Sequence, residues 1–253
     1  MADDEFTRIA ASFPEPFRLL VRETAGSTND ELRALANAGA PGGMVLLALH
    51  QTAGRGRRGT VWFSQAEESL AFSILVRPAE PKALWPRLAL AAGLAVAEAV
   101  ESLGITCAIK WPNDVWIHHR KVAGILVEAG SDFAIVGIGL NVNTANFPTE
   151  FSEIATSLRI ETAREFPRPE VLAAIVRCFA LRSARIGADF DALLDAVRQR
   201  CVLTGERVSL TTASGPRQGI IEGIGPGGEL LLRTATGVES LIQADDVRIR
   251  REL

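Results

Sequence analysis

The chain has 253 residues, of which 47% are hydrophobic and 23% are charged, with a formal net charge of −3. This length and composition suit one large domain, or one medium domain followed by a small one. The slightly acidic balance argues against a general nucleic-acid-binding surface, which usually needs a strongly basic one. The longest apolar stretch, residues 88–100, contains Glu98 and is too short to cross a bilayer. Because the N-terminus is also acidic rather than signal-like, we expect a cytoplasmic protein that has no membrane partner and whose three cysteines are reduced.

Strand-like and helix-like segments alternate through most of the chain. Hydrophobic runs predict strands over residues 17–23, 44–49, 61–63, 69–76, 106–110, 115–118, 121–128 and 133–142. Periodicity and turn residues predict helices over residues 29–38, 86–103, 169–186 and 189–200, and Ser27 or Thr28 is predicted to cap the first. This order predicts an α+β fold with a central mixed sheet flanked by helices.

The chain changes character after Gly205. Short β-rich runs occupy residues 207–211, 219–222, 230–233, 240–242 and 247–249, separated by turns rich in glycine and proline. About five short strands in so short a segment predict a small all-β barrel. We therefore expect two domains, comprising residues 1–204 and 205–253.

The most informative segment is residues 50–59, which read HQTAGRGRRG. Its glycines allow a ligand to approach the backbone closely, and its arginines supply flat forks of donors that fit carboxylate or phosphate oxygens. The segment therefore predicts a loop that surrounds a small anion.

Other interpretations of this loop fit less well. Gly54, Gly56 and Gly59 match the spacing of a dinucleotide-binding fingerprint, but a β-forming run follows them where that fingerprint needs a helix. A P-loop would need a Gly-Lys-Ser or Gly-Lys-Thr sequence after the glycines. Nonspecific RNA binding would need repeats or neighbouring basic and stacking residues, and a simple solvated loop has little use for three arginines.

Two further segments carry polar groups that are ambiguous when taken alone. Residues 110–114 (KWPND) read as an ordinary turn, although they also offer an amide and charged groups to a nucleotide. Lys121 opens an apolar strand that contains Gly124, so its ammonium group belongs either to a strand edge or to a ligand cleft. The three histidines, His50, His118 and His119, have ordinary interpretations as loop and turn residues, and we expect no protein-bound metal.

Taken together and in order, these segments resemble biotin protein ligases. The resemblance covers residues 20–145 and rests on five segments: 27–29 (STN), 51–59 (QTAGRGRRG), 110–114 (KWPND), 120–128 (RKVAGILVE) and 137–142 (GIGLNV). It implies the biotin/lipoate ligase fold, which is like that of class II synthetases, and it continues weakly into an SH3-like C-terminal domain. It also implies the activity: biotin and ATP form biotinyl-5′-AMP, and biotin is then joined to a lysine of a carrier protein.

The resemblance also implies roles for individual residues. Lys121 and Arg57 are the implied catalytic residues. The implied biotin-binding residues are Ser27, Thr28, Asn29, Gln51, Gly54, Arg55, Gly56, Arg57, Lys121 and Gly124. The implied ATP-binding residues are Arg57, Arg58, Trp62, Lys110, Asn113, Asp114 and Asn141. Thr60 departs from the pattern, because some relatives carry a basic residue there.

Further expectations follow from the same resemblance. Mg²⁺ is expected to accompany ATP, and the implied partner is a biotin carboxyl carrier protein or domain of a biotin-dependent carboxylase. Only about sixteen residues precede the first predicted strand, so we expect neither the DNA-binding domain of repressor members of the family nor DNA binding. A homodimer through an exposed sheet edge stays open. The alternatives are a lipoate ligase, whose Arg-Arg-Xaa-Ser-Gly-Gly-Gly pattern is absent here, and a biotin-responsive binding protein without turnover.

Overall fold

The structure, a computed structural model, describes residues 2–10 and 13–250. Its helices are α1 (Ala2–Ala10), α2 (Thr28–Asn37), α3 (Arg87–Glu101), α4 (Leu158–Thr162), α5 (Arg168–Ser183) and α6 (Phe190–Arg198). Its strands are β1 (Arg18–Ala25), β2 (Met44–Gln51), β3 (Ser69–Val76), β4 (Ala108–Lys110), β5 (Asp114–Ile117), β6 (Arg120–Ala129), β7 (Ala134–Asn141), β8 (Arg207–Thr212), β9 (Gly215–Ile224), β10 (Leu230–Thr234), β11 (Gly237–Leu241) and β12 (Asp245–Ile249). Within the described ranges, no helix has the length and apolar character needed to span a membrane.

The first seven strands form one sheet in the order β1-β2-β3-β7-β6-β5-β4. Strands β1 and β2 pair in parallel, and the other neighbours pair antiparallel. The predicted mixed sheet flanked by helices is therefore confirmed.

Helices cover both faces of this sheet, but unequally. Helices α3 and α5 pack against each other on one face, where they form the main hydrophobic core with β3, β6 and β7. Helix α3 lies close to the sheet because it is rich in alanine and carries Gly93, where an added methyl group would lie 4.0 Å from Ile125 Cδ1. On the other face, α2 buries Leu32 and Ala36 over only one end of β2, β3 and β7.

Strand alternation decides which residues face each layer. In β3, Leu70, Phe72 and Ile74 belong to the main core, so Ala71 and Ser73 point to the face that α2 covers only in part. This leaves part of the sheet available as the floor of a cavity.

The last five strands form a separate antiparallel sheet in the order β11-β10-β9-β8-β12, which confirms the all-β C-terminal domain. This domain contacts the first one through hydrogen bonds from Trp111 Nε1 to the Gly228 carbonyl (2.9 Å) and from Arg198 Nε to the Ile224 carbonyl (2.8 Å). The proposed boundary near residue 204 stays a prediction; β8 begins three residues later, at Arg207.

Some elements differ from the sequence predictions. Helices α1 and α4 were not predicted, although Phe6 of α1 is fully buried in the main core. Strand β9 begins at Gly215 rather than Gly219, because Pro216 lies near the start of the strand, where it is tolerated.

Candidate active site

Small residues on three neighbouring strands create a cavity in the open face of the sheet. Across β3, β7 and β6, Ala71 pairs with Gly139, which pairs with Gly124. In the next row, Ser73 pairs with Gly137. Because these positions carry little or no side chain, the floor is low, and the cavity has a volume of about 600 Å³. This volume is in the range of pockets for small organic molecules.

All but one of the residues implied by the resemblance line this cavity. They are Ser27, Thr28, Asn29, Gln51, Arg55, Gly56, Arg57, Arg58, Trp62, Lys110, Asn113, Asp114, Lys121, Gly124 and Asn141. Gly54 is the exception: a methyl group added there would lie 2.6 Å from both Gln51 Nε2 and the Trp62 carbonyl oxygen. Gly54 does not line the cavity. The lack of a side chain at this position allows Gln51 and Trp62 to approach the backbone closely.

A buried polar cluster closes one end of the cavity, at the start of α2. The Thr28 N–H donates to Gln51 Oε1 (3.0 Å), and Ser73 Oγ lies 2.7 Å from Thr28 Oγ1 and 2.6 Å from Asn29 Oδ1. Asn29 Nδ2 donates to Glu128 Oε2 at 2.7 Å. This network fixes the positions of hydroxyl, amide and carboxylate groups in the cavity lining and behind it.

Ser27 occupies the N-cap position of α2, but its side chain makes no capping hydrogen bond, so the predicted side-chain cap is wrong for both candidates. The backbone N–H groups of Asp30 and Glu31 instead donate to the Ser27 carbonyl oxygen, each at 3.1 Å. Thr28 is the first residue of the helix and its hydroxyl bonds to Gln51. Both residues line the cavity, and neither hydroxyl group caps the helix.

Arg55 and Arg57 of the loop extend to different elements of the first domain. Arg55 pairs with Asp30 and lies 3.6 Å from Glu128 Oε2, near the start of α2. Arg57 Nη1 donates to Asn113 Oδ1 at 3.3 Å, on the turn between β4 and β5. Burial, and then the neighbouring charge of Arg58, lower the pKa of Arg57 from its usual value, although an arginine remains protonated near neutral pH.

The segment predicted as a strand over residues 61–63 does not form one. It makes only an isolated bridge between Val61 and Arg55, because its aromatic side chains turn into the cavity wall instead of pairing along a strand. The Trp62 indole lies over the glycine floor: a methyl group added at Gly139 would be 2.2 Å from Trp62 Cε2. The Phe63 ring stacks on Phe151, with centroids 5.9 Å apart.

Lys121 faces the turn between β4 and β5, which Arg57 also contacts. Its Nζ atom lies 2.7 Å from Asp114 Oδ1 and 5.5 Å from the centroid of the Trp62 ring. Its backbone is fixed by residues 154–156, because its N–H donates to the Ile154 carbonyl (2.8 Å) and its carbonyl accepts from Thr156 N–H (2.9 Å). The ammonium group is therefore presented to the cavity from a rigid strand.

A buried carboxylate supports the strand that carries Lys121. Glu161 pairs with Arg120 and His118, each at 2.7 Å, and also accepts from the Thr156 hydroxyl. Burial alone would raise the pKa of Glu161, but the hydrogen bonds from Thr156 and His118 and the charge of Arg120 outweigh it, so the net pKa is lowered.

Sequence reasoning missed several residues of the cavity. Ser73, Phe151 and Asp245 are the clearest cases, since the first is part of the polar cluster and the others line the walls. Ser73 had a detectable signal, because a hydroxyl interrupts an otherwise apolar strand. Asp245 had none, because it reaches the cavity only through the packing of the second domain.

The two carboxylates that line the cavity each face a cation: Asp114 faces Lys121, and Asp245 faces Arg58. Among residues 2–10 and 13–250, no group of three or more histidine, cysteine, aspartate or glutamate side chains is arranged to hold a metal ion.

Comparisons with known proteins give consistent results. The family model described as the biotin/lipoate A/B protein ligase family matches residues 22–143. The chain is 37% identical over 229 residues to a biotin–[acetyl-CoA-carboxylase] ligase of Mycobacterium tuberculosis, covering 88% of this chain and 85% of that protein. It is 35% identical over 236 residues to the bifunctional ligase/repressor BirA of Bacillus subtilis, covering 90% of this chain and 73% of that protein.

Solved structures show the same similarity. The biotin protein ligase from Aquifex aeolicus in complex with biotin and ATP has a TM-score of 0.83 and 33% identity, covering 92% of this chain and 99% of that chain. The biotin protein ligase from Leishmania major in complex with biotinyl-5-AMP has a TM-score of 0.63 and 27% identity, covering 90% of this chain and 98% of that chain.

Proposed function

Since this chain belongs to the biotin protein ligase family, we propose that its cavity holds biotin and ATP side by side and that Arg57 and Lys121 carry the activation step. The protein is an ATP-dependent biotin–protein ligase, which forms biotinyl-5′-AMP and then joins biotin to a protein lysine through an amide.

One observation supports this assignment above the others. Arg57 and Lys121 come from different parts of the chain, yet they contact adjacent residues of one turn, Asn113 and Asp114. Two cations therefore converge on one region of the cavity. A site that must bring a carboxylate next to a polyphosphate needs such an arrangement, because the two anions repel each other.

The chemistry of activation explains why fixed cations suffice. A carboxylate oxygen of biotin bonds to the α-phosphorus of ATP, and the bond from that phosphorus to pyrophosphate breaks. The lysine amine then bonds to the carbonyl carbon of the mixed anhydride, AMP leaves, and the amine loses a proton. Neither step needs a covalent enzyme nucleophile, and the main demand is stabilisation of the charge that develops on the phosphorus oxygens.

The two ends of the cavity suit the two substrates. The polar cluster at the start of α2 offers donors and acceptors to the ureido ring of biotin, and the proposed biotin-binding residues are Ser27, Thr28, Asn29, Gln51, Arg55, Gly56, Arg57, Lys121 and Gly124. The proposed ATP-binding residues are Arg57, Trp62, Lys110, Asn113, Asp114 and Asn141. Asn141 fits a ligand contact, because its buried Oδ1 atom has no hydrogen-bond partner in the protein while its Nδ2 donates to the Thr156 carbonyl.

The proposal extends to the metal and to the partner. Because Asp114 and Asp245 already face cations, Mg²⁺ that arrives with ATP would be held largely by phosphate oxygens rather than by the lining residues. The proposed protein substrate is a biotin carboxyl carrier protein or domain of a biotin-dependent carboxylase, and the proposed location is the cytoplasm. A homodimer stays a prediction.

Pyrophosphate release tests the substrate assignment. The purified protein is incubated with ATP and either biotin or lipoate, and transfer is followed by the mass increase of a biotin carboxyl carrier domain. We expect release and transfer with biotin and neither with lipoate, which lacks the ureido group that the polar cluster fits. Release with lipoate would indicate a lipoate ligase, and biotin binding without release would indicate a binding protein; either result refutes the proposed function.

A further inference from the structure

Neighbouring arginines of the loop differ in the partner that each one contacts most closely. Arg57 contacts Asn113 on the first domain, whereas Arg58 forms an ion pair with Asp245 at the start of β12 in the second domain. The backbone of Arg58 is left-handed, with φ 53° and ψ 36°, an uncommon conformation for a residue other than glycine. A conformation of this kind persists only where surrounding contacts fix it.

The surroundings of Asp245 oppose a movement of Arg58 from Asp245 to bound ATP. Its side chain is only 17% exposed, and its Oδ2 atom, which faces Arg58, has almost no accessible surface. Arg57 Nη2 lies 3.9 Å from Oδ1, too far for a hydrogen bond. If Arg58 moved to a phosphate, Asp245 would keep only the longer ion pair with Arg57 and would lie beside a polyphosphate, which is unfavourable for a carboxylate with so little solvent exposure.

The loop geometry makes this contact important for Arg57. The turn is closed by hydrogen bonds from Gly56 N–H to the Thr60 carbonyl (2.7 Å) and from Thr60 Oγ1 to the Arg57 carbonyl (2.9 Å). Arg57, Arg58 and Thr60 therefore belong to one hydrogen-bonded turn. A tether on Arg58 fixes the direction in which Arg57 points.

We propose that Asp245 is a positioning residue of the second domain, which holds Arg58 so that Arg57 faces the substrates. This inference rests on the proposed function of Arg57. It gives the C-terminal domain a defined part in biotin activation, and it assigns Arg58 to Asp245 rather than to the nucleotide.

Exchanging the charges of Arg58 and Asp245 distinguishes a contact of Arg58 with Asp245 from a contact of Arg58 with phosphate. The variants are Arg58→Asp, Asp245→Arg and the double exchange, with kcat and KM for ATP and biotin measured by pyrophosphate release. We expect each single variant to lose at least tenfold in kcat/KM and the double variant to return to within about threefold of wild type. If Arg58 contacts phosphate instead, aspartate at position 58 repels ATP in the single and in the double variant. A double variant whose kcat/KM is as low as that of Arg58→Asp would therefore overturn the proposal.

A matched exchange within the C-terminal domain provides the control. Arg217 and Glu239 pair at 3.1 Å and do not line the cavity. Arg217→Asp, Glu239→Arg and their double variant should all keep wild-type kinetics. Equal losses in this series would show that charge reversal damages the C-terminal domain in general, and would overturn the specific role of Asp245.

A second measurement needs neither turnover nor charge reversal. Asp245→Asn keeps the shape of the side chain but removes its charge, so we expect faster chymotryptic cleavage at Trp62 and Phe63 without ligands and an unchanged melting temperature. Cleavage at the wild-type rate would overturn the tether. If the wild-type protein releases no pyrophosphate, the proposed function fails while this measurement still reports on the tether.

Discussion

Adding one methyl group at Gly139 should disable the enzyme without unfolding it. The new carbon would lie 2.2 Å from Trp62 Cε2 and 2.4 Å from Trp62 Nε1. Because non-bonded carbon atoms pack at about 3.5–4.0 Å, the indole ring must shift by about 1 Å or more. Trp62 belongs to a loop and Gly139 to the central strand β7, so the ring moves and the sheet does not.

The displacement should reach the catalytic arginine, which precedes Trp62 in the same loop. A misplacement of about 1 Å can cost on the order of 100-fold in rate. For Gly139→Ala we therefore expect kcat/KM for biotin-dependent pyrophosphate release to fall by about 10- to 100-fold, which corresponds to about 1.4–2.7 kcal/mol. The free energy of unfolding, from urea denaturation, should fall by no more than about 1–3 kcal/mol, the range for overpacking, because the loop that carries Trp62 can shift.

The same substitution in helix α3 is the matched control. A methyl group at Gly93 would lie 4.0 Å from Ile125 Cδ1, an ordinary contact, and alanine is favoured over glycine in a helix by roughly 0.5–1 kcal/mol. Gly93→Ala should therefore be slightly stabilised and fully active. Wild-type kcat/KM in Gly139→Ala would refute the position of Trp62 over the sheet as part of the working site.

Three further predictions concern buried groups. Ser73→Ala should lower the free energy of unfolding in urea by about 1–3 kcal/mol. It should also raise KM for biotin more than KM for ATP, because the lost hydroxyl supports Thr28 and Asn29. Equal changes in both KM values would contradict this. Because the pKa of Glu161 is lowered by folding, its carboxylate stabilises the fold above the unfolded pKa of about 4.3, and this contribution is lost as pH falls through the folded value. The free energy of unfolding of Glu161→Gln should therefore be lower than that of wild type at pH 7, with a much smaller difference in acid. A difference that stays constant with pH would refute the assignment. Burial raises the pKa of Cys107 to about 12, so iodoacetamide at pH 8 should label it only after unfolding, and labelling of the native protein at the unfolded rate would disprove that burial.

Local sequence pattern was sufficient for much of the fold. Rules that act within a few residues predict strands from the alternation in residues 69–76 and from the β-rich run that contains residues 137–139. Strands β3 and β7 lie where these rules predict them. The failures came from distant contacts. Residues 61–63 have strand-forming side chains, but the cavity, which is built by other segments, takes those side chains. Helix α1 depends on the burial of Phe6 against distant elements.

The arginine loop shows the same limit within the site. The sequence indicated an anion-binding loop, but three arginines on one segment carry no information about their separate partners. Arg55 pairs with Asp30 and Glu128. Arg57 donates to Asn113 and lies 3.9 Å from Asp245 Oδ1, and Arg58 pairs with Asp245. Those partners lie on α2, on β6, on a turn of the first domain and on the second domain, and only the packing of these elements decides which arginine meets which partner.

Single-turnover formation of biotinyl-5′-AMP by Arg57→Gln and Lys121→Gln tests the central claim most directly. Both substitutions remove a charge while keeping a hydrogen-bonding side chain, and the C-terminal-domain variant Arg233→Gln serves as the control, since Arg233 pairs with Glu222 away from the cavity. Hydrogen bonds to charged groups contribute about 1.5–3 kcal/mol, so each site variant should form adenylate about 10- to 150-fold more slowly at saturating biotin and ATP. Formation at the wild-type rate in either site variant would contradict the account.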